Sequence, residues 1–170
     1  MKISRRFETS GTIDVVTAPL VFVDKNAFII GIESPTDAAQ PMPNLLLRLR
    51  ETPGLGATND LTLAEFFAPA SRPGHLATLL KRRLYMVLLI WSQLFDLRPT
   101  TRDILIETGD LREAVRYKPQ DAMRLITVVR AQCNYFLSYN TDVKPPQGMK
   151  RIPPDRSGID VKLGARSQES

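Results

Sequence analysis

Residues 20–32, Leu20-Val-Phe-Val-Asp-Lys-Asn-Ala-Phe-Ile-Ile-Gly-Ile32, hold two apolar runs, 20–23 and 27–32, parted by the polar triplet Asp24-Lys25-Asn26. Runs rich in Val, Ile and Phe that flank a short polar connection have the pattern of a β-hairpin. Upstream, residues 11–17 carry β-branched side chains at most positions, and Pro19 marks a corner because it cannot donate to a strand ladder. The expectation is a small N-terminal antiparallel sheet of two to three strands. So small a sheet needs helices to cover its apolar face.

Those helices are sought downstream. Leu76, Leu79, Leu80, Leu84, Val87, Leu88, Trp91, Leu94 and Phe95 recur at helical spacing, predicting one helix over 75–97. Ala122, Leu125, Ile126, Val129, Cys133, Phe136 and Leu137 predict a second over 119–139, opened by Pro119 with Asp121 in its first turn. Shorter helices are expected over 45–50, capped by Asn44, and over 63–68. In the latter, Thr62 and Glu65 have the spacing of a capping box. Thr100 is the expected cap of a helix that opens at 104–106 and is weakened at Gly109. Beyond residue 140 the apolar period dies among prolines and basic residues. The fold class expected is therefore α+β, a small antiparallel sheet on a mainly helical domain with a flexible C-terminal tail. The chain divides into one domain over 1–140 (hairpin region 1–33, helical region 44–140) and a basic Pro-rich tail over 141–170.

At 170 residues and 43% apolar content the chain is long enough for a core without staples. Its single cysteine excludes an intramolecular disulfide, and with one histidine a zinc site is not expected. Asp14, Thr17 and Pro19 interrupt the N-terminal apolar run, against a signal peptide. The eight-residue run 84–91 is far shorter than the roughly 20 residues of a membrane span. A cytoplasmic chain is the expectation.

No catalytic motif emerges. Residues 54–58, Gly-Leu-Gly-Ala-Thr, lack the third glycine of a dinucleotide loop and the Gly-Lys-Ser/Thr of a P-loop. His75 and Cys133 read as structural, and Asp103, Glu107 and Asp110 read as an ion-paired helix face. An enzyme, a metal, a cofactor and a small-molecule ligand are accordingly not expected.

The net charge of +5 is uneven: residues 1–71 carry −2, 72–140 carry +5 and 141–170 carry +2. Such asymmetry points to a polyanionic partner. The expected function is a non-enzymatic accessory protein that self-associates and binds nucleic acid, or another acidic surface. Contact would fall on phosphates, through Lys81, Arg82, Lys118, Arg124, Arg130, Lys150 and Arg151. Met86, Leu89 and Ile90 lie off the main stripe of helix 75–97 and are the expected partner face. The alternative is a protein–protein adaptor, an assembly or secretion component without nucleic-acid binding.

Overall fold

The structure, a computed structural model, describes residues 21–33, 41–68 and 78–162. The expected strand 11–17, the Pro19 corner and His75 lie outside the described residues. Among those described, five short strands form one all-parallel sheet in the order β3-β2-β1-β4-β5. They are β1 (Val21–Val23), β2 (Gly56–Asn59), β3 (Phe95–Arg98), β4 (Tyr135–Leu137) and β5 (Lys150–Ile152). Six α-helices accompany them: α1 (Lys25–Phe28), α2 (Pro41–Glu51), α3 (Asp60–Phe67), α4 (Thr78–Tyr85), α5 (Arg102–Ala114) and α6 (Pro119–Arg130). The fold is α/β.

The antiparallel hairpin is thereby corrected. Asp24 does not turn the chain back; it caps α1, its carboxylate accepting the Lys25 amide at 2.8 Å. The second apolar run becomes α1 and the π-helical turn Ile29–Glu33. Val21, Phe22 and Val23 are all fully buried, because parallel strands are covered on both faces. Their side chains alternate between two cores. Val21 and Val23 face a cluster that includes Phe28, Leu45, Leu49, Phe66, Tyr85 and Phe95. Phe22 packs on the other side with Phe136, Leu125, Val128 and Cys133.

Both long helices end early. The first is α4 followed by a π-helical segment, Met86–Trp91, after which Gln93 turns left-handed at φ 56° and the chain enters β3. The second ends at Arg130; Gln132, at φ 53°, performs the same turn before β4. Leu94, Phe95, Phe136 and Leu137, assigned above to helical stripes, therefore lie in or next to strands.

The flexible tail joined to the expected fold is corrected as well. Residues 150–152 pair in register with β4, and Ile152 is fully buried. A π-helical segment, Ser157–Lys162, follows and packs against α2, with Asn44 donating to Asp160 at 3.0 Å. Gly158 is buried so close to Pro153 that a Cβ there would run into the Pro153 carbonyl oxygen. Gly158→Ala is expected to cost about 1–3 kcal/mol, read as a lowered urea midpoint with an unchanged slope. A wild-type midpoint would show that this segment is not part of the cooperative unit.

Candidate functional site

The strand order places the crevice. From β1 the chain adds β2 and β3 on one side, then crosses to add β4 and β5 on the other, so its direction of growth reverses between β1 and β4. In open parallel sheets, ligands bind beyond the carboxyl ends of the strands at such a switch point. The residue that leaves β1 there is Asp24, and the one that leaves β4 is Ser138.

Asp24 is 97% buried and fully engaged. Ser138 Oγ donates to its Oδ2 at 2.6 Å, and Asn26 Nδ2 donates to that same Ser138 oxygen at 3.2 Å. Two further carboxylates share the Arg124 guanidinium with it. Glu65 comes from α3, which starts where β2 ends. Asn59 caps that helix, its Oδ1 taking the Thr62 amide at 3.0 Å and the Thr62 hydroxyl at 2.9 Å. The expected capping box on Thr62 is therefore displaced by one turn, and Glu65, released from that duty, reaches across the crevice. Asp121 comes from the first turn of α6 and accepts from Asn140 Nδ2 at 3.3 Å.

At the centre of the three lies Arg124. Its Nη2 donates to Glu65 Oε2, its Nη1 to Asp121 Oδ1 at 3.2 Å, and its Nε lies 3.2 Å from Asp24 Oδ1. The last is a charge contact without hydrogen-bond alignment, leaving Nε without a hydrogen-bond partner. The side chain is only 8% exposed. Burial would push the guanidinium down, but Asp24, Glu65 and Asp121 outweigh it and hold it above its ordinary value. Lys25 Nζ adds a second cation 3.2 Å from Glu65 Oε1.

Carboxylates from separate elements are the donor set of a hard divalent cation, which needs about six oxygens around it. Here the oxygens surround a guanidinium instead. Among the described residues, no group of three or more His, Cys, Asp or Glu side chains is arranged to hold a metal ion. As folded, the cluster does not fit a resident metal.

Of the basic residues singled out from sequence, Arg124 is the one in this cluster. Lys118 is exposed and leads directly into α6. Arg130 lies six residues beyond Arg124, about 9 Å along the helix, and is held by Glu107 and Asp103 of α5. Its hydrogen bond is the main cause that keeps the Glu107 carboxyl below its usual range. Lys81 is buried, 3.3 Å from Glu33 and above the Phe66 ring. Arg82 donates to the Phe67 carbonyl at 3.3 Å and lies over that ring. Lys150 and Arg151 are exposed on β5. In the expected partner face, Leu89 is buried, Met86 half-buried and Ile90 exposed. In the same helical stretch Leu79, Leu80, Val87 and Trp91 are exposed as well. Cys133 is a buried free thiol, pushed up to about 12 chiefly by burial. Asp24, Glu65 and Asp121 escaped sequence reasoning, which treated Asp24 as a turn, Glu65 as a cap and Asp121 as a partner of the helix dipole.

No protein-family profile and no curated protein sequence matches the chain. Solved structures do match in fold. One is a toxin–antitoxin complex from Klebsiella pneumoniae, with a TM-score of 0.53 at 18% identity over 79% of this chain and 97% of that one. Another is VapBC2 from Rickettsia felis bound to a DNA fragment from its promoter, with a TM-score of 0.58 at 12% identity over 79% and 98%. The all-parallel sheet is like that of PIN-domain (VapC) toxins. The expectation that the chain is not an enzyme is corrected on the same ground, since it shares its fold with chains of toxin–antitoxin complexes. No helix among the described residues is long and apolar enough to cross a membrane.

Proposed function

We propose that this chain acts on the phosphodiester backbone of nucleic acid at the crevice of Asp24, Glu65 and Asp121, as the toxin-type member of a pair completed by a protein partner. One observation carries the proposal: three acidic side chains from β1's end, α3 and α6 meet at the switch point of a parallel sheet. The likeness to chains of toxin–antitoxin complexes supports it. Carboxylates in a crevice serve as general bases toward an attacking water. Lys25 on the rim and Lys118 at the entry to α6 supply charge for phosphates. The partner's place is proposed on the exposed apolar row of Leu79, Leu80, Val87, Ile90 and Trp91.

Cleavage of an end-labelled single-stranded RNA by the full chain tests the catalytic reading, with Asp121→Asn as the comparison. Asp121 is the most exposed of the three carboxylates, so this variant should fold. It is expected to cleave about 10- to 100-fold more slowly, the range of a lost acid–base group. Equal rates, or no cleavage by either protein, would overturn the assignment.

A further inference from the structure

Arg130 stands outside the crevice, and the catalytic proposal leaves it without a role. It has a place of its own. A cavity of about 180 Å³ opens between the end of β3, the start of α5 and the end of α6, with Arg98, Thr101, Thr127 and Arg130 in its wall and Ile104 among its apolar residues. A single water needs roughly 10–15 Å³ of such space, so the cavity admits a group of several heavy atoms. Both charged residues of the wall are arginines. The carboxylates that pair with them stand outside the lining. Asp96 lies 2.6 Å from Arg98 Nη2, and Glu107 and Asp103 hold Arg130 from α5. They orient the two guanidinium groups without closing the cavity.

The donors in the wall are not used up. Arg98 commits one Nη to Asp96, while its Nε is buried and lacks a hydrogen-bond partner. A buried donor without an acceptor is costly, and a ligand oxygen relieves that cost. Arg130 gives Nε and Nη2 to Glu107 and keeps Nη1 for a further acceptor. Thr101 Oγ1 accepts the Ile104 amide at 3.3 Å, which leaves the hydroxyl proton to donate. Forked guanidinium donors of this kind match the oxygens of a phosphate group.

We infer that this cavity is a phosphate subsite, in which Arg98 and Arg130 take a phosphodiester group of the strand whose neighbouring nucleotides enter the Asp24, Glu65 and Asp121 crevice. The inference rests on the nucleic-acid reading of that crevice and gives the same strand a second contact. Arg98 ends β3 in register with Asn59, the last residue of β2, so it lies on the same carboxyl edge of the sheet as Asp24. Arg130 is about 9 Å along α6 from Arg124, roughly three nucleotides at the 3.4 Å rise of a stacked strand. A contact to phosphate positions the strand and reads no base, so sequence selectivity from it is weak.

Binding of a short labelled single-stranded RNA, followed by fluorescence anisotropy over a range of salt concentrations, tests the subsite on the full chain. The proteins are wild type, Arg98→Gln, Arg130→Gln and Arg151→Gln; the last removes the same charge from β5, outside the cavity. Each cavity variant is expected to bind about 10-fold more weakly, the scale of a charge-assisted hydrogen bond. Each is also expected to lower the slope of log affinity against log salt by about one. Arg151→Gln is expected to stay near wild type. Equal losses in all three variants would reduce the effect to net charge and overturn the inference, as would wild-type affinity in both cavity variants or no binding by wild type. Calorimetry with inorganic phosphate separates the sources: phosphate uptake that both cavity variants abolish while RNA affinity is unchanged would mean a site for free phosphate, and that too overturns it. Should glutamine at either position unfold the chain, Arg98→Lys and Arg130→Lys keep the charge but lose the fork, and they must still weaken binding. Binding without cleavage removes the catalytic reading and leaves the subsite; cleavage with both cavity variants at wild-type affinity does the reverse.

Discussion

Phe66→Ala is expected to lower the unfolding free energy by about 3–5 kcal/mol, the range for removing a buried aromatic ring. Phe66 is 1% exposed and stacks on Tyr85 with ring centroids 3.6 Å apart and planes 3° from parallel. Phe28 meets it edge-on at 5.7 Å and in turn meets Phe95 at 5.1 Å, so the ring links α3 to α1, α4 and the edge strand β3. Beneath it runs a buried polar thread. Tyr85 donates to Glu33 at 2.7 Å, and Lys81 pairs with the same carboxylate; burial first, then Glu33, pushes the Tyr85 hydroxyl up. Loss of Phe66 opens a cavity beside these groups and removes the face over which the Lys81 ammonium lies. Circular dichroism in urea is the suitable measurement, because Trp91 is 63% exposed and its fluorescence would report unfolding weakly. A loss below about 1 kcal/mol would show that this aromatic cluster is not the centre of the larger core.

How much of this was legible in the sequence depends on which signal marks each element. The buried central strand was found, because the run at 20–23 is apolar at every position. The same continuity was also the sign of a parallel strand covered on both faces, and it was outweighed by the polar triplet that looked like a turn. A capping aspartate and a hairpin aspartate are the same residue, and only the partner of its carboxylate tells them apart. The two overlong helices had a different cause. Both stop at a glutamine in left-handed geometry, Gln93 and Gln132, and glutamine carries none of the breaker signal of Gly or Asn. Nothing in the letters separated the helix end from the strand that follows.

The site was hidden for a related reason. Val128 and Val129 are neighbours, so the apolar stripe of α6 fits two rotations about 100° apart. The rotation chosen put Val129 inside, whereas the structure buries Val128 and leaves Val129 45% exposed. In the observed rotation Arg124 faces inward, and a buried arginine demands acidic partners. Asp121 lies at local i,i+3 spacing, but Glu65 and Asp24 lie about 60 and 100 residues earlier in the chain, and distant partners have no local spacing to betray them.

Asp24→Ala should then be as damaging as the loss of the aromatic ring, by about 3–5 kcal/mol, because it breaks a buried charge pair from one side. Three groups lose a partner together: the Arg124 guanidinium, the Ser138 hydroxyl at 2.6 Å and the Lys25 amide at the start of α1. Arg124→Leu breaks the same network from the other side and leaves three carboxylates facing one lysine, so a loss of similar size is expected. The double variant Asp24→Ala/Arg124→Leu removes one charge of each sign and fills part of the space with an apolar side chain. Its loss should fall short of the sum of the single losses by at least about 1.5 kcal/mol, within the range for contacting residues in one network. Chemical denaturation of the four proteins gives that coupling directly, and strictly additive losses would mean that the two side chains do not act on each other.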